Sequence, residues 1–161
     1  MTTMSAGTDS SASATADREI VITRLIDAPR ERVFDAWTDP AHVGEWFGPT
    51  GFTTVTHEMD VRPGGVWRFT MHGPDGVEWP NWVAYHEVVR PERLVYDHGG
   101  ARAEPEFHVT ITFADEDGRT RLTMRSLFPT AAARDYVVRE VNAIEGGNQT
   151  LDRFVRFLST Q

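Results

Sequence analysis

Along the 161-residue chain the spacing of apolar residues changes period three times, and each change predicts a different kind of element. The run Glu19-Ile20-Val21-Ile22-Thr23-Arg24-Leu25-Ile26 is dense in β-branched residues and predicts a strand, which Asp27-Ala28-Pro29 ends with helix-entry chemistry. Val33, Phe34 and Trp37 then recur at helical spacing. Asp39-Pro40 stops that helix, because the residue before a proline avoids the α region. A second short helix carries His42, Val43 and Trp46 and ends at Phe47-Gly48-Pro49.

From Phe52 to Phe128 the period is two. Turn residues interrupt it at Pro63-Gly64-Gly65, Gly73-Pro74-Asp75-Gly76, Arg90-Pro91, Gly99-Gly100 and Asp115-Glu116-Asp117-Gly118, which predicts about six antiparallel strands. In the clearest pair Phe107, Val109, Ile111 and Phe113 alternate with polar residues, and Leu122, Met124 and Phe128 do so across the acidic turn. One face is therefore buried and the other wet. After Pro129 the helical period returns, with Val137, Val141, Ile144, Asn148, Leu151, Val155 and Leu158 on one stripe of a long closing helix. Strand, two short helices, sheet and long helix make an α+β domain. Its curved antiparallel sheet of about six to seven strands wraps the C-terminal helix.

Composition narrows the chemistry. The stretch 1–18 is almost all Thr, Ser, Ala, Gly and Asp with no apolar run, and reads as a disordered tail ahead of a single domain over 19–161. A formal charge of −8 with no basic cluster argues against nucleic acid as a partner, and no apolar run is long enough to span a membrane. The expected setting is the cytoplasm, as a monomer or weak homodimer. All 16 basic residues are arginine and there is no cysteine, so lysine Schiff bases, thiolate nucleophiles, disulfides and Cys-ligated zinc are excluded. The six histidines form no fixed-spacing ligand motif, so no metal or other cofactor is expected. No Gly-x-Ser-x-Gly elbow is present, and Arg62-Pro63-Gly64-Gly65-Val66 joins two strands rather than opening a helix, so it reads as a turn rather than a phosphate cradle.

A sheet curved around a helix leaves an apolar gap at one end, the usual form of a small-molecule site. On alternation, Val55, His57 and Met59, with Trp67, Phe69 and Met71, face that gap. In the segment 79–88 both faces carry large groups; Trp82 with His86 is the inward pair favoured over Tyr85 with Glu87, and Tyr85 is placed near the rim. His57 and His86 are the candidate general acid–base groups, with Glu58 and Glu87 behind them. Gly146-Gly147 and Asn148 interrupt the long helix at one level. Each glycine costs roughly 1 kcal/mol against alanine, and an unpaired inward amide roughly 1–3 kcal/mol. Either a kink with a backbone-satisfied Asn148 or room for a ligand accounts for that cost.

Taken in order, several segments resemble the START-like, helix-grip superfamily, in the branch related to the activator of Hsp90 ATPase. They are the run from Asp27 to Pro40, Trp46-Phe47-Gly48-Pro49, the run from Asp60 to Phe69, Pro91-Glu92-Arg93-Leu94-Val95-Tyr96, Glu145-Gly146 and Leu151-Asp152-Arg153-Phe154. The resemblance implies a cavity between sheet and C-terminal helix that holds hydrophobic molecules, in a superfamily of lipid carriers, polyketide cyclases and hormone or antibiotic binders. Members of the branch usually carry Trp where this chain has Gly147; if that position faces inward, its loss is expected to enlarge the cavity.

The leading expectation is a cofactor-independent binder of a sizeable apolar or polycyclic molecule. Its contacts are Trp46, His57, Trp67, Phe69, Met71, Trp82, Phe107 and Asn148, and its role that of a carrier, sensor or sequestering protein, including self-resistance to a toxic metabolite. The alternatives are a cyclase or hydrolase using His57 or His86, and a chaperone-partner module of the Hsp90-activator kind.

Overall fold

Helix α1 (Arg30–Thr38) buries Val33, Phe34, Ala36 and Trp37 on one side, and α2 (Pro40–Trp46) follows at once because Pro40 occupies its first turn. Asp39 caps α2 by accepting a hydrogen bond from the Ala41 N–H at 2.8 Å. Both helices lie between β1 (Glu19–Ile26) and β2 (Thr53–Met59) in the chain. The remaining strands are β3 (Val66–His72), β4 (Glu78–Val89), β5 (Arg93–Gly99), β6 (Phe107–Glu116) and β7 (Arg119–Leu127), followed by α3 (Ala131–Glu140) and α4 (Ala143–Ser159). This computed structural model describes residues 15–161, so the predicted tail falls outside the described residues as far as position 14. Residues 15–18, assigned to that tail by sequence, form a turn in which Arg18 donates to the Phe128 carbonyl at 2.9 Å.

All strand pairs are antiparallel, in the order β1-β7-β6-β5-β4-β3-β2. Every link except β1–β7 is a sequential hairpin, and β1 comes back to close the sheet against its last strand. The inward faces read Ile20, Ile22 and Ile26 on β1; Val109, Ile111 and Phe113 on β6; and Leu122 on β7. The outer face carries ion pairs such as Arg93–Glu87 at 2.9 Å and Arg121–Glu116 at 3.1 Å.

The helices meet the sheet through aromatic rings. Trp46 lies 4.7 Å from Trp37 and 4.4 Å from Phe154, and Trp37 lies 5.1 Å from Phe154, so α1, α2 and α4 each supply one ring to a single cluster. Phe113 of β6 joins it edge-on against Phe34 at 5.2 Å. The Trp46 indole N–H donates to the Ala36 carbonyl at 3.2 Å, which leaves no unpaired donor in the cluster.

The single long C-terminal helix predicted from sequence is two helices. Asn142 takes a left-handed conformation (φ 55°), which a short polar side chain tolerates, and the chain turns there. Val141 and Ile144, predicted on the inward stripe, are exposed, because that stripe assumed an unbroken helix. On α4 the buried set is Thr150, Leu151, Phe154 and Leu158, with Phe154 taking the place expected of Val155. Gly147 does face inward, but it opens no space. A Cβ there would lie 2.5 Å from Cδ1 of Ile22, so the missing side chain lets α4 settle onto β1.

Two stability outcomes follow from this packing. Phe154→Ala should cost about 3–5 kcal/mol in urea unfolding, since it empties the centre of the ring cluster. Gly147→Trp should lower the melting temperature, and much of the loss should be recovered when it is combined with Ile22→Ala. Equal losses in the single and double variants would show that the two positions do not compete for one space.

Candidate functional site

The concave face carries a nearly continuous path of rings across four strands. Trp67 and Phe69 of β3 stack at 3.9 Å, and Phe47 stands edge-on to both at 5.0 and 5.4 Å. Phe69 meets His98 of β5 at 5.9 Å, His98 stacks on Phe107 of β6 at 4.7 Å, and Phe107 leads to Phe128 at 5.1 Å. Trp67 is satisfied by donating its indole N–H to Thr56 Oγ1 at 3.1 Å.

His98 is the polar interruption in this wall. Its Nε2 pairs with Asn81 Oδ1 at 2.8 Å, and because an amide oxygen only accepts, the ring donates from Nε2 and keeps Nδ1 as its acceptor. Asn81 in turn donates from Nδ2 to the Trp79 carbonyl at 2.9 Å. Burial pushes the His98 pKa down to about 4, so the ring is neutral at physiological pH. Tyr85 and Tyr96, inward from the neighbouring strands, are both pushed up, chiefly by burial, and stay protonated.

The expected contact residues are dispersed by the fold. Trp46, Trp67 and Phe69 are buried in the core, whereas Met71 and Phe107 are partly exposed on the concave side. Val55 and His57 point outward instead of inward. A β-bulge at His57 shifts the register between Thr56 and Glu58, so Thr54, Thr56 and Met59 are the inward residues of β2. His57 bonds Thr70 on the outer face at 2.8 Å. Trp82 also lies outside; it packs across Gly99 of β5 and donates to the Arg102 carbonyl at 2.8 Å. The inward residues of β4 are Asn81, Val83 and Tyr85, the last buried rather than at the rim, so alternation leaves His86 outward and a second bulge there keeps Glu87 outward beside it. Asn148 faces the β1 edge, where its Oδ1 accepts from Arg24 at 3.3 Å and its Nδ2 donates to the Ile144 carbonyl at 3.0 Å. Its inward cost is thus met within the protein.

His98 and Asn81 were missed from sequence. The alternation Leu94, Tyr96, His98 carried the signal for the first, while no local pattern oriented the second. Among the described residues, an open pocket of about 250 Å³ lies at the rim of the sheet, lined by Phe107 and Phe128 from the concave side, by Asp97, His108 and Leu127 from the convex side, and by Arg18, Pro105, Glu106 and Pro129. A second, of about 230 Å³, lies against α2 and α4, lined by Glu45, Arg153, Arg156, Phe157 and Thr160. Phe107 is the one expected contact residue that borders either.

On the opposite, convex face Asp97 accepts from two imidazoles, His108 Nδ1 at 2.8 Å and His86 Nε2 at 2.9 Å. Partial burial pushes the Asp97 carboxyl up, but the bonds from His108 and His86 outweigh it and hold the group below the usual carboxylate range. Among the described residues, no helix is long and apolar enough to cross a membrane.

A search of curated proteins finds no match. Among solved structures, the chain is similar to a protein from Arthrobacter aurescens (TM-score 0.82, 25% identity, 91% of this chain and 89% of that one). It is also similar to protein Ms6760 from Mycobacterium smegmatis (TM-score 0.80, 25% identity, 91% and 94%). It shares its fold with DynU16, a protein of the dynemicin biosynthetic locus (TM-score 0.70, 22% identity), of which it spans 48%. These neighbours have the same helix-grip architecture: an antiparallel sheet curled against a C-terminal helix. The family model for activator of Hsp90 ATPase homolog 1-like proteins matches residues 27–159, so the chain belongs to that family.

Proposed function

We propose that this protein binds an uncharged, largely apolar small molecule on the concave side of its sheet, as a carrier, sensor or sequestering protein. Phe69, Met71 and Phe107 form the walls, and the His98–Asn81 pair supplies the polar contact. The observation that carries this reading is the pair itself. A neutral imidazole bonded to an amide, set among aromatic rings and still partly accessible, is a costly replacement for an apolar core residue. Its Nδ1 acceptor suits a ligand hydroxyl or N–H.

The pocket of about 250 Å³ beside Phe107 is smaller than the roughly 300–1,000 Å³ of sites for drug-sized ligands. A polycyclic ligand therefore enters by displacing side chains that border the pocket. Fold kinship with a protein from a biosynthetic locus agrees with a role beside small-molecule chemistry, including self-resistance. His57 and His86 lie on the outer face, away from this wall, and lend the acid–base alternative no support.

Amide NMR titration with a panel of neutral polycyclic compounds, with mass spectrometry on the same samples, tests the proposal. Shifts should cluster at Asn81, His98 and Phe107, the ligand should be recovered unaltered, and His98→Phe should weaken binding about tenfold, a loss of about 1.4 kcal/mol. A chemically altered ligand, or shifts confined to the convex face, would overturn it.

The neutral ring also sets a pH dependence. Between pH 6.5 and about 4 the unfolded chain protonates this imidazole and the folded one does not, so unfolding takes up a proton. Stability should fall as the pH drops through that window, and His98 should add no slope below it. In urea midpoints measured across the range, His98→Phe should lack that part of the slope.

A further inference from the structure

We infer that His86, Asp97 and His108 form a binding site for a divalent transition-metal ion such as Zn2+ on the convex face of the sheet. The three residues come from the adjacent strands β4, β5 and β6. Asp97 is in register with His108 on one side and with Ala84 on the other, and His86 is two residues beyond Ala84. Plain alternation would put the next outward residue of β4 diagonal to Asp97, but the bulge between Tyr85 and Glu87 re-aims His86 so that its Nε2 reaches the carboxylate. One ring nitrogen of His86, one of His108 and a carboxylate oxygen of Asp97 all lie within 4.8 Å of one another. Around a tetrahedral zinc, ligand atoms bonded at about 2.0–2.1 Å stand roughly 3.4 Å apart, so modest side-chain adjustment closes the set.

The donor set points to the class of ion. Two imidazoles and one carboxylate suit zinc, nickel and copper, whereas calcium and magnesium prefer sites built from oxygen. Both imidazoles now point an N–H at Asp97, and a change of tautomer presents lone pairs from the same ring atoms. The site is accessible: the side chains of His86 and His108 are 50% and 42% exposed, and the pocket lined by Phe107 also touches Asp97 and His108. Three protein ligands with an open side leave the remaining position to water or to an exogenous ligand. The expectation from sequence was that the chain carries no metal set. Sequence spacing showed none because the ligands belong to three strands, at positions 86, 97 and 108.

Calorimetric titration of the untagged full-length protein with Zn2+ alone should give one ion per chain. His86→Ala and Asp97→Asn should each weaken binding by at least about tenfold. His72→Ala, at an exposed position elsewhere on the sheet, should leave it unchanged, and Mg2+ in excess should not compete. In parallel, histidine-ring 15N spectra of the wild-type protein should show His86 and His108 shifting with Zn2+ while His42 and His72 do not, a readout independent of any variant's folding. Absence of binding, equal affinity in the His86 and Asp97 variants, ring shifts elsewhere, or displacement by Mg2+ would each overturn the inference.

Discussion

Three rings, Trp37, Trp46 and Phe154, are the constraint on which the architecture turns. Each belongs to a different helix, and α1 and α2, of 9 and 7 residues, are too short to be stable on their own in water. Their contact fixes α1 and α2 against α4, and Phe113 ties the group to β6. Fixing α2 also places the loop after it: the Arg153 guanidinium of α4 donates to the carbonyls of Gly48 and Pro49 at 2.8 and 2.9 Å. With that end held, Gly147 allows close approach at β1, where Arg24 reaches Asp152 at 2.7 Å. The position of the helix over the sheet is thus set by a few contacts along its length.

The faces of the sheet are assigned by a different device. Two β-bulges, at His57 on β2 and His86 on β4, break the strict alternation, so that each histidine and the residue after it both lie on the convex side. Each bulge also restores an inward apolar residue further on, Met59 and Val88, so the core is preserved at the cost of one unpaired strand position. The inward imidazole is instead His98, on a strand whose alternation is regular.

The two faces consequently offer different chemistry. On the concave side the polar groups beside the ring wall are uncharged: a neutral imidazole, an amide and two protonated phenols. Burial in a weakly polar interior enforces this, because a charge there would lose its hydration without a partner. The convex side is wet and charged, and two of its imidazoles, His86 and His108, face a carboxylate. The chemistry of the first surface suits an apolar ligand and that of the second a cation, and β5 contributes to both through successive residues, Asp97 outward and His98 inward.

The sequence by itself determined the α+β class, the order of elements, the turn positions and most of the buried set. These depend on local period and on the stereochemistry of proline and glycine, which act within a few residues. The run Leu94, Tyr96, His98 already held the orientation of the inward histidine. Tertiary structure alone decided the split at Asn142, the contact of Gly147 with Ile22, the exterior position of Trp82 over Gly99, and the meeting of His86, Asp97 and His108. Each of these depends on strand register or helix docking, which join residues about ten to more than a hundred positions apart. A single inserted residue in a strand reverses every orientation beyond it, so parity read along one strand cannot settle which face a side chain joins until its neighbours are in place.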